Sequence, residues 1–211
     1  MKIKFYYARY SGAMAVRILI HELNLPCDFI AVNNKSLKTE NNEDFLTINP
    51  KGILPTIITE DNLVLTENQV IQQYLADKYG AKHGSLLPLT SDFKRYQVLE
   101  WLNYCRVDLY NIYALLINKD IPKDLKESLF KPMLQKKLIY PNTSLQDKSY
   151  LMGDKFTIAD CYLFVILVLI KDPSKDLKID LSEFSNLEKY FSLLKQRPSI
   201  ATSLQEQNLI F

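Results

Sequence analysis

Glu67 and Asn68 are the residues at which chemistry is expected first. They close the stretch Asn49-Pro50-Lys51-Gly52-Ile53-Leu54-Pro55-Thr56-Ile57-Ile58-Thr59-Glu60-Asp61-Asn62-Leu63-Val64-Leu65-Thr66-Glu67-Asn68. It reads as a loop with two prolines, two short β-branched strands around the turn cluster Glu60-Asp61-Asn62, and a helix start. Thr66 with Gln69 three residues on has the spacing of a capping box, and Val70, Ile71, Tyr74 and Leu75 follow at helical intervals. A helix N-terminus, with unpaired N–H groups and partial positive charge, then follows directly on a strand, where a small anion can sit. Cys27, Cys105 and Cys161 are odd in number, far apart and in no Cys-x-x-Cys pair, so neither a disulfide framework nor a redox motif is expected. His21 and His83 are the chain's two histidines, too few for a metal cluster.

The string Asn49-Pro50-Lys51-Gly52-x-x-Pro55, a hairpin, Leu65-Thr66-Glu67 and then Ile71-x-x-Tyr74-Leu75 resembles the glutathione-binding half of cytosolic glutathione S-transferases, most closely the bacterial beta class. The resemblance runs from Phe5-Tyr6-Tyr7 through Glu100-Trp101-Leu102-Asn103-Tyr104 to Phe156-Thr157-Ile158-Ala159-Asp160, almost the whole chain. It implies a cis Pro55 that turns the backbone of Leu54 toward glutathione, with the N–H and C=O of Leu54 pairing the cysteinyl unit as an added strand would. It assigns the ligand's ammonium to Glu67 and its α-carboxylate to Asn68, which stands where the family usually has serine. Asn103 matches a residue that reaches the glutathione site in the beta class. Lys35, Lys38 and Lys51 are candidates for the glycyl carboxylate, and Tyr110 and Tyr113 for the wall of the electrophile pocket. Each has a plainer reading: first-turn residues for Glu67 and Asn68, a surface amide for Asn103, solvated lysines, and a core stripe for the tyrosines.

Such an enzyme needs a thiolate. An unperturbed thiol has a pKa of about 8.5, and each unit of depression corresponds to ~1.36 kcal/mol of preferential thiolate binding. The family places the activating group in the region Tyr6-Tyr7-Ala8-Arg9-Tyr10-Ser11-Gly12-Ala13. Ungapped alignment of the following helix brings Gly12 to the position of the beta-class cysteine and Tyr110 to that of its histidine partner, so disulfide chemistry is disfavoured. Ser11 is then the first candidate, with a plain helix N-cap as its competing reading. Tyr6, eleven residues before Arg17, is second, with a core aromatic as its competing reading. Tyr7 points to the other face of a regular strand and ranks third.

The elements that must position these groups are legible in order. Ile3 to Tyr7 reads as a strand, Met14 to Leu23 as a helix and Phe29 to Val32 as a second, parallel strand. A polar connection from Lys35 to Asp44 precedes the hairpin and a closing helix to about Tyr79. This β-α-β, then β-β-α order is the thioredoxin-like fold, expected over residues 1–80. The breakers Gly80, Gly84, Pro88 and Ser91 mark a linker over 81–90. Residues 91–211 read as all-helical: a long helix to about Lys119, a second from about Asp124 to Tyr140 kinked at Pro132, a loop over 141–148, a helix capped by Thr157 and Asp160, and a last helix from about Leu181 to Gln196.

With 211 residues, 47% hydrophobic, 24% charged and a net charge of +2, the composition is that of a soluble globular chain. No basic cluster suggests nucleic acid, no signal peptide opens the chain, and the apolar run from Cys161 to Ile170 is too short to cross a bilayer. The resemblance implies a cytoplasmic homodimer that takes glutathione as co-substrate, needs no metal and conjugates small hydrophobic electrophiles in a cleft between its domains. It also allows a non-catalytic scaffold that binds a protein partner, as the stringent starvation proteins do, or a glutathione-dependent isomerase or peroxidase.

Overall fold

The computed structural model describes residues 2–83, 86–175, 177 and 179–209; Gly84 and Ser85, within the expected linker, lie outside the described residues. The chain divides into two compact units, Met1–Ser85 with Pro198–Phe211, and Leu86–Arg197. By contacts, the segment from Pro198 therefore groups with the first unit, although sequence order alone places it in the helical half.

The first unit is built on β1 (Ile3–Tyr7), α1 (Met14–Glu22), β2 (Cys27–Ala31), β3 (Thr56–Ile58), β4 (Val64–Thr66) and α2 (Asn68–Tyr79). The strands form one four-stranded sheet in the order β2-β1-β3-β4, with β1 and β2 parallel and β3 antiparallel to both of its neighbours. This is the thioredoxin-like arrangement expected. Alternation along β1 separates two cores. Tyr6 packs with Val32 and Phe45, joined by Ile30, Leu37, Ile48, Leu54 and Ile58. Tyr7 faces the other way and stacks on Phe5, 5.4 Å between ring centroids.

The second unit carries α3 (Phe93–Tyr104), α4 (Asn111–Ile117), α5 (Lys123–Leu125), α6 (Lys131–Ser144), α7 (Ile158–Lys171) and α8 (Ser185–Leu194), while α9 (Pro198–Glu206) belongs with the first. α3 and α4 are the expected long helix, interrupted by a π-helical segment over Cys105–Tyr110; a second π segment, Lys126–Phe130, joins α5 to α6. Pro132 is the second residue of α6, directly after the π segment that joins it to α5. The expected loop from Pro141 is instead helix as far as Ser144. A proline here removes the hydrogen bond to the carbonyl of Lys137, and the Tyr104 hydroxyl donates to that carbonyl at 2.7 Å. The last helix expected from sequence is α8, ending at Leu194; α9, which opens on Pro198, is an additional helix that the reading did not include.

α9 docks on α1 through polar groups. Glu206 pairs with Arg17, and its carboxylate lies 2.9 Å from His21 Nε2. Arg17 is buried, its guanidinium 4.3 Å from the ring centroids of both Tyr7 and Phe29. Burial pushes the Glu206 carboxyl up, but hydrogen bonds from His21 and Arg17 outweigh it and hold the group below its ordinary 4.5. The folded value lies below the unfolded one, so this contribution to stability is complete above the ordinary value and disappears as pH falls through the folded value. Glu206→Gln should therefore lower the urea midpoint near neutral pH, and its deficit against wild type should close as pH falls below the ordinary 4.5 and through the lower folded value.

α7 is buried from Ile158 to Ile170 and forms the centre of its unit. It starts as the sequence indicates, with Thr157 as N-cap and Asp160 at the third helical position. Asp160, fully buried, accepts from the N–H of Leu151 at 2.9 Å, the N–H and hydroxyl of Thr157 at 2.8 Å each, and the hydroxyl of Tyr190 at 3.0 Å. Asp160→Ala should cost at least about 2 kcal/mol in urea unfolding, because buried donors on three residues lose their acceptor.

Candidate functional site

Sheet topology brings three segments to one end of the first unit. β1 ends there at Tyr7 and leads into the turn of Ser11; β3, running the other way, begins there at Thr56 behind Leu54-Pro55; β4 ends there at Thr66, before Glu67. The cross-strand pairs Tyr6 with Thr56, and Thr56 with Thr66, fix this convergence. One hydrogen bond fastens the two helix starts: Asn68 Nδ2 donates to the carbonyl of Gly12 at 2.6 Å, and Asn68 Oδ1 accepts from Gln72 Nε2 at 2.7 Å.

The Asn-Pro-Lys-Gly loop is organised from inside by Asn49. Its side-chain amide donates to the carbonyl of Ile53 at 2.8 Å and to Thr56 Oγ1 at 3.1 Å, and its oxygen accepts from the Lys51 N–H at 3.1 Å. Gly52 sits at φ 64°, where a Cβ would also meet Leu37 Cδ1 at 3.3 Å, so the motif needs glycine there. The Leu54–Pro55 peptide bond is cis. Among the described residues, the N–H and C=O of Leu54 have no hydrogen-bond partner.

Glu67, rather than Thr66, is the N-cap of α2, with φ 72° and ψ 117° and no capping bond from its side chain. Glu67 thus takes the N-cap place read for Thr66, which is still paired in β4 and whose hydroxyl accepts from Lys51 Nζ at 2.9 Å. Such a backbone conformation costs a glutamate on the order of 1–3 kcal/mol and clusters at binding sites. The Glu67 carboxylate is half exposed, 3.5 Å from Lys51 Nζ. Asn68 is buried and one hydrogen of its amide is committed to Gly12, so a carboxylate at this helix start would meet the backbone N–H of Asn68 and the positive end of α2. The side chains of Lys35 and Lys38 stand exposed in the loop after β2; Lys38 joins Asp44 by a backbone bridge.

Of the candidate activating groups, Ser11 is half-buried and its hydroxyl is already engaged. It donates to the Ala8 carbonyl at 2.8 Å and accepts from the Ala13 N–H at 3.2 Å; the N-cap of α1 is Ala13 itself. Tyr6 is 3% exposed, in the core beside Phe45. Burial, then the nearby Glu43, pushes its phenol up, away from the phenolate form. Tyr7 lies under Arg17 on the helix-covered face.

In the second unit, Asn103 is exposed on α3. The rings of Tyr110 and Tyr113 are 5.9 Å apart, and that of Tyr162 lies 6.0 Å from Tyr110, with the Arg106 guanidinium 5.4 Å over the Tyr110 ring. Tyr113 is buried at 2% exposure and its hydroxyl has no partner. Burial raises the Cys105 thiol well above its ordinary range, and Cys161 is equally enclosed. Cys27 is pushed up to about 12, chiefly by burial and then by Asp28. Among the described residues, no three His, Cys, Asp or Glu side chains are grouped to hold a metal ion, and no helix is long and apolar enough to cross a membrane.

Comparison with known proteins agrees with this architecture. The family profile "Glutathione S-transferase, N-terminal domain" matches residues 5–83 and "Glutathione S-transferase, C-terminal domain" matches 107–207. The chain is 30% identical to the glutathione S-transferase GstA of Escherichia coli O157:H7 over 98% of this chain and all of that one. It is 29% identical to a stringent starvation protein A homolog of Coxiella burnetii, over 93% and 90% of the two chains. The crystal structure of a glutathione transferase from Methylococcus capsulatus superposes with TM-score 0.91 at 32% identity, covering 99% of this chain and 100% of that one. A sphingomonad glutathione S-transferase complexed with glutathione superposes with TM-score 0.88 at 26% identity, over 98% and 100%. A four-stranded thioredoxin-like unit joined to a helical one, with this loop and helix start, defines a glutathione-transferase fold. The chain belongs to the glutathione S-transferase family.

The link between the helix starts is open to direct measurement. Asn68→Ala would take the acceptor from the buried Gln72 amide and leave the Gly12 carbonyl with the Ala15 N–H alone, and urea unfolding should show a loss of about 1–3 kcal/mol. An unchanged midpoint would mean that the turn is held without it.

Proposed function

We propose that the chain is a cytoplasmic, homodimeric glutathione S-transferase that joins the glutathione thiolate to small, hydrophobic electrophiles. The observation that carries this reading is the convergence at one sheet end of an unpaired strand-like backbone at Leu54, a half-exposed carboxylate at Glu67 and the Ser11 turn. Each suits a different part of the tripeptide. The N–H and C=O of Leu54 would pair the cysteinyl backbone, as in strand addition. Glu67 would take the ammonium, and the start of α2 the neighbouring carboxylate, through the Asn68 N–H and the helix dipole. Lys51, already beside Glu67 and Thr66, would balance charge at this end, and the exposed Lys38 is available to the glycyl carboxylate.

Ser11 is the preferred thiol-activating group. Its proton now rests on the Ala8 carbonyl; when a sulfur arrives within reach, the hydroxyl would turn to donate to the thiolate and keep accepting from Ala13. Thiolate formation releases the proton to solvent, and sulfur then attacks the electrophilic carbon and displaces its leaving group. Tyr6 is the weaker alternative, because its phenol is enclosed and pushed up by burial. Asn103 is assigned to the glutathione site, and Tyr110 and Tyr113 to the electrophile side, by the family pattern alone.

Three observations favour a second reading, a non-catalytic scaffold for a protein partner: the Ser11 hydroxyl is satisfied within its own turn, Gly12 and Tyr110 stand where the beta class has cysteine and histidine, and a stringent starvation protein A homolog is among the relatives. Calorimetry with glutathione separates the two. Binding weaker than millimolar would exclude the transferase reading. Given binding, Ser11→Ala should lower turnover with chlorodinitrobenzene by about tenfold or more with little change in glutathione affinity, as expected for loss of one donor to a developing anion. Unchanged turnover would remove Ser11 from the mechanism.

A further inference from the structure

The turn that carries Ser11 is held from two directions. From inside, the Ser11 hydroxyl spans Ala8 and Ala13. From outside, the N–H of Tyr10 donates to Gln207 Oε1 at 3.0 Å, a contact across 197 residues of sequence. Tyr10 is exposed and sits at φ 53°, the left-handed region, where a residue with a Cβ is disfavoured by roughly 1–2 kcal/mol. Something must over-determine it.

Gln207 is placed to do so. It is 2% exposed, one residue beyond α9, and its own N–H donates to the Leu204 carbonyl at 3.2 Å. α9 is anchored on α1 near both of its ends: Glu206, next to Gln207, by Arg17 and His21, and Ser199, in the first turn, through its hydroxyl to Glu22 Oε2 at 2.6 Å. The Leu209 N–H returns to the Leu204 carbonyl at 2.9 Å, which closes the chain behind it. Gln207 is therefore a buried acceptor on a fixed support. Its one described side-chain hydrogen bond goes to the backbone immediately before Ser11.

We propose that Gln207 is a positioning residue for thiolate formation: by fixing the left-handed Tyr10, it sets where the Ser11 hydroxyl faces the sulfur. The inference rests on the transferase reading above. It makes the chain's C-terminal segment part of the first unit's chemistry, although it touches no substrate. What matters is the acceptor oxygen, so chemistry and volume are separable: Gln207→Met keeps the bulk and removes the acceptor, whereas Gln207→Glu keeps an acceptor in the same place.

The test is glutathione conjugation with chlorodinitrobenzene in full-length wild type, Gln207→Met, Gln207→Glu and the Ser11→Ala/Gln207→Met double variant. Gln207→Met should lower kcat about tenfold while the KM for glutathione stays within about twofold, because a misplaced group near the reacting atom costs rate rather than binding. Gln207→Glu should recover kcat to within about threefold of wild type, and adding Gln207→Met to Ser11→Ala should cost less than about twofold more, as for residues that act as a unit. Equal kcat in wild type and Gln207→Met overturns the inference alone. So does a loss of kcat matched by an equal loss of glutathione binding, which is what a merely structural side chain would give. Wild type that neither binds nor turns over glutathione removes the transferase reading and this inference together.

Discussion

The hydrogen bond from Asn68 Nδ2 to the Gly12 carbonyl, 2.6 Å long, ties the start of α2 to the start of α1. Both helices begin at the same sheet end, behind strands only three to five residues long, and this bond joins their two turns directly. Asn68 is buried, and it adds a second donor to a backbone carbonyl that already accepts from the Ala15 N–H at 3.1 Å. Gln72, fully buried one turn further along α2, fixes the amide by donating to its oxygen. A residue whose place in the motif suggested direct ligand contact thus has a prior structural obligation. Asparagine suits it better than serine, because an amide reaches further and both donates and accepts.

The same accounting for buried polar groups explains features of the helical unit that hydrophobic periodicity does not show. Pro141 continues a helix because Tyr104 supplies the donor that proline lacks. α7 is apolar on every side and is fixed in position by one carboxylate, Asp160, whose four bonds reach Leu151, Thr157 and Tyr190. Burial raises that carboxyl, and the four donors pull it back. Hydrophobic burial stabilises the unit without direction; these few polar bonds specify its register.

The alternation in Ile3 to Tyr7, the β-branched hairpin and the Thr157–Asp160 cap are local signals, and the elements they announce form within a residue or two of where they were read. The Asn-Pro-Lys-Gly loop was likewise legible, since Asn49 organises it over seven residues of chain. What escaped depends on distant partners. The helix through Pro141 needs Tyr104, 37 residues earlier by numbering, and no local rule predicts it. α9 had a local signal, a proline at a first helical position followed by Ile200 and Leu204 four residues apart, but its packing on α1 rests on Arg17 and His21. Thr66 was misplaced as a cap because strand pairing with Thr56 overrides a four-residue motif. Gln207 carried no signal, because its partner is the Tyr10 backbone, whose need for support arises only from a positive φ.

The thiol-activating group remains the point where binding and chemistry part. The features that suit the proposed tripeptide are an unpaired backbone at Leu54, a half-exposed Glu67 carboxylate on a positive-φ residue, and a helix start behind it. Activation asks for something different, a donor that prefers sulfur as an anion. Tyr6 has the right chemical type, but its site opposes charge, by burial first and by Glu43 second. Ser11 has no useful acidity of its own, yet it sits before a helix whose positive end favours an anion whichever group donates. Its bond to Ala8 is a neutral hydrogen bond, worth about 1 kcal/mol net, and one to a thiolate is charge-assisted and roughly twice as strong. The proposed exchange therefore runs downhill only once the sulfur is ionised, so a hydroxyl bonded within its own turn is compatible with a serine that responds to thiolate rather than to thiol.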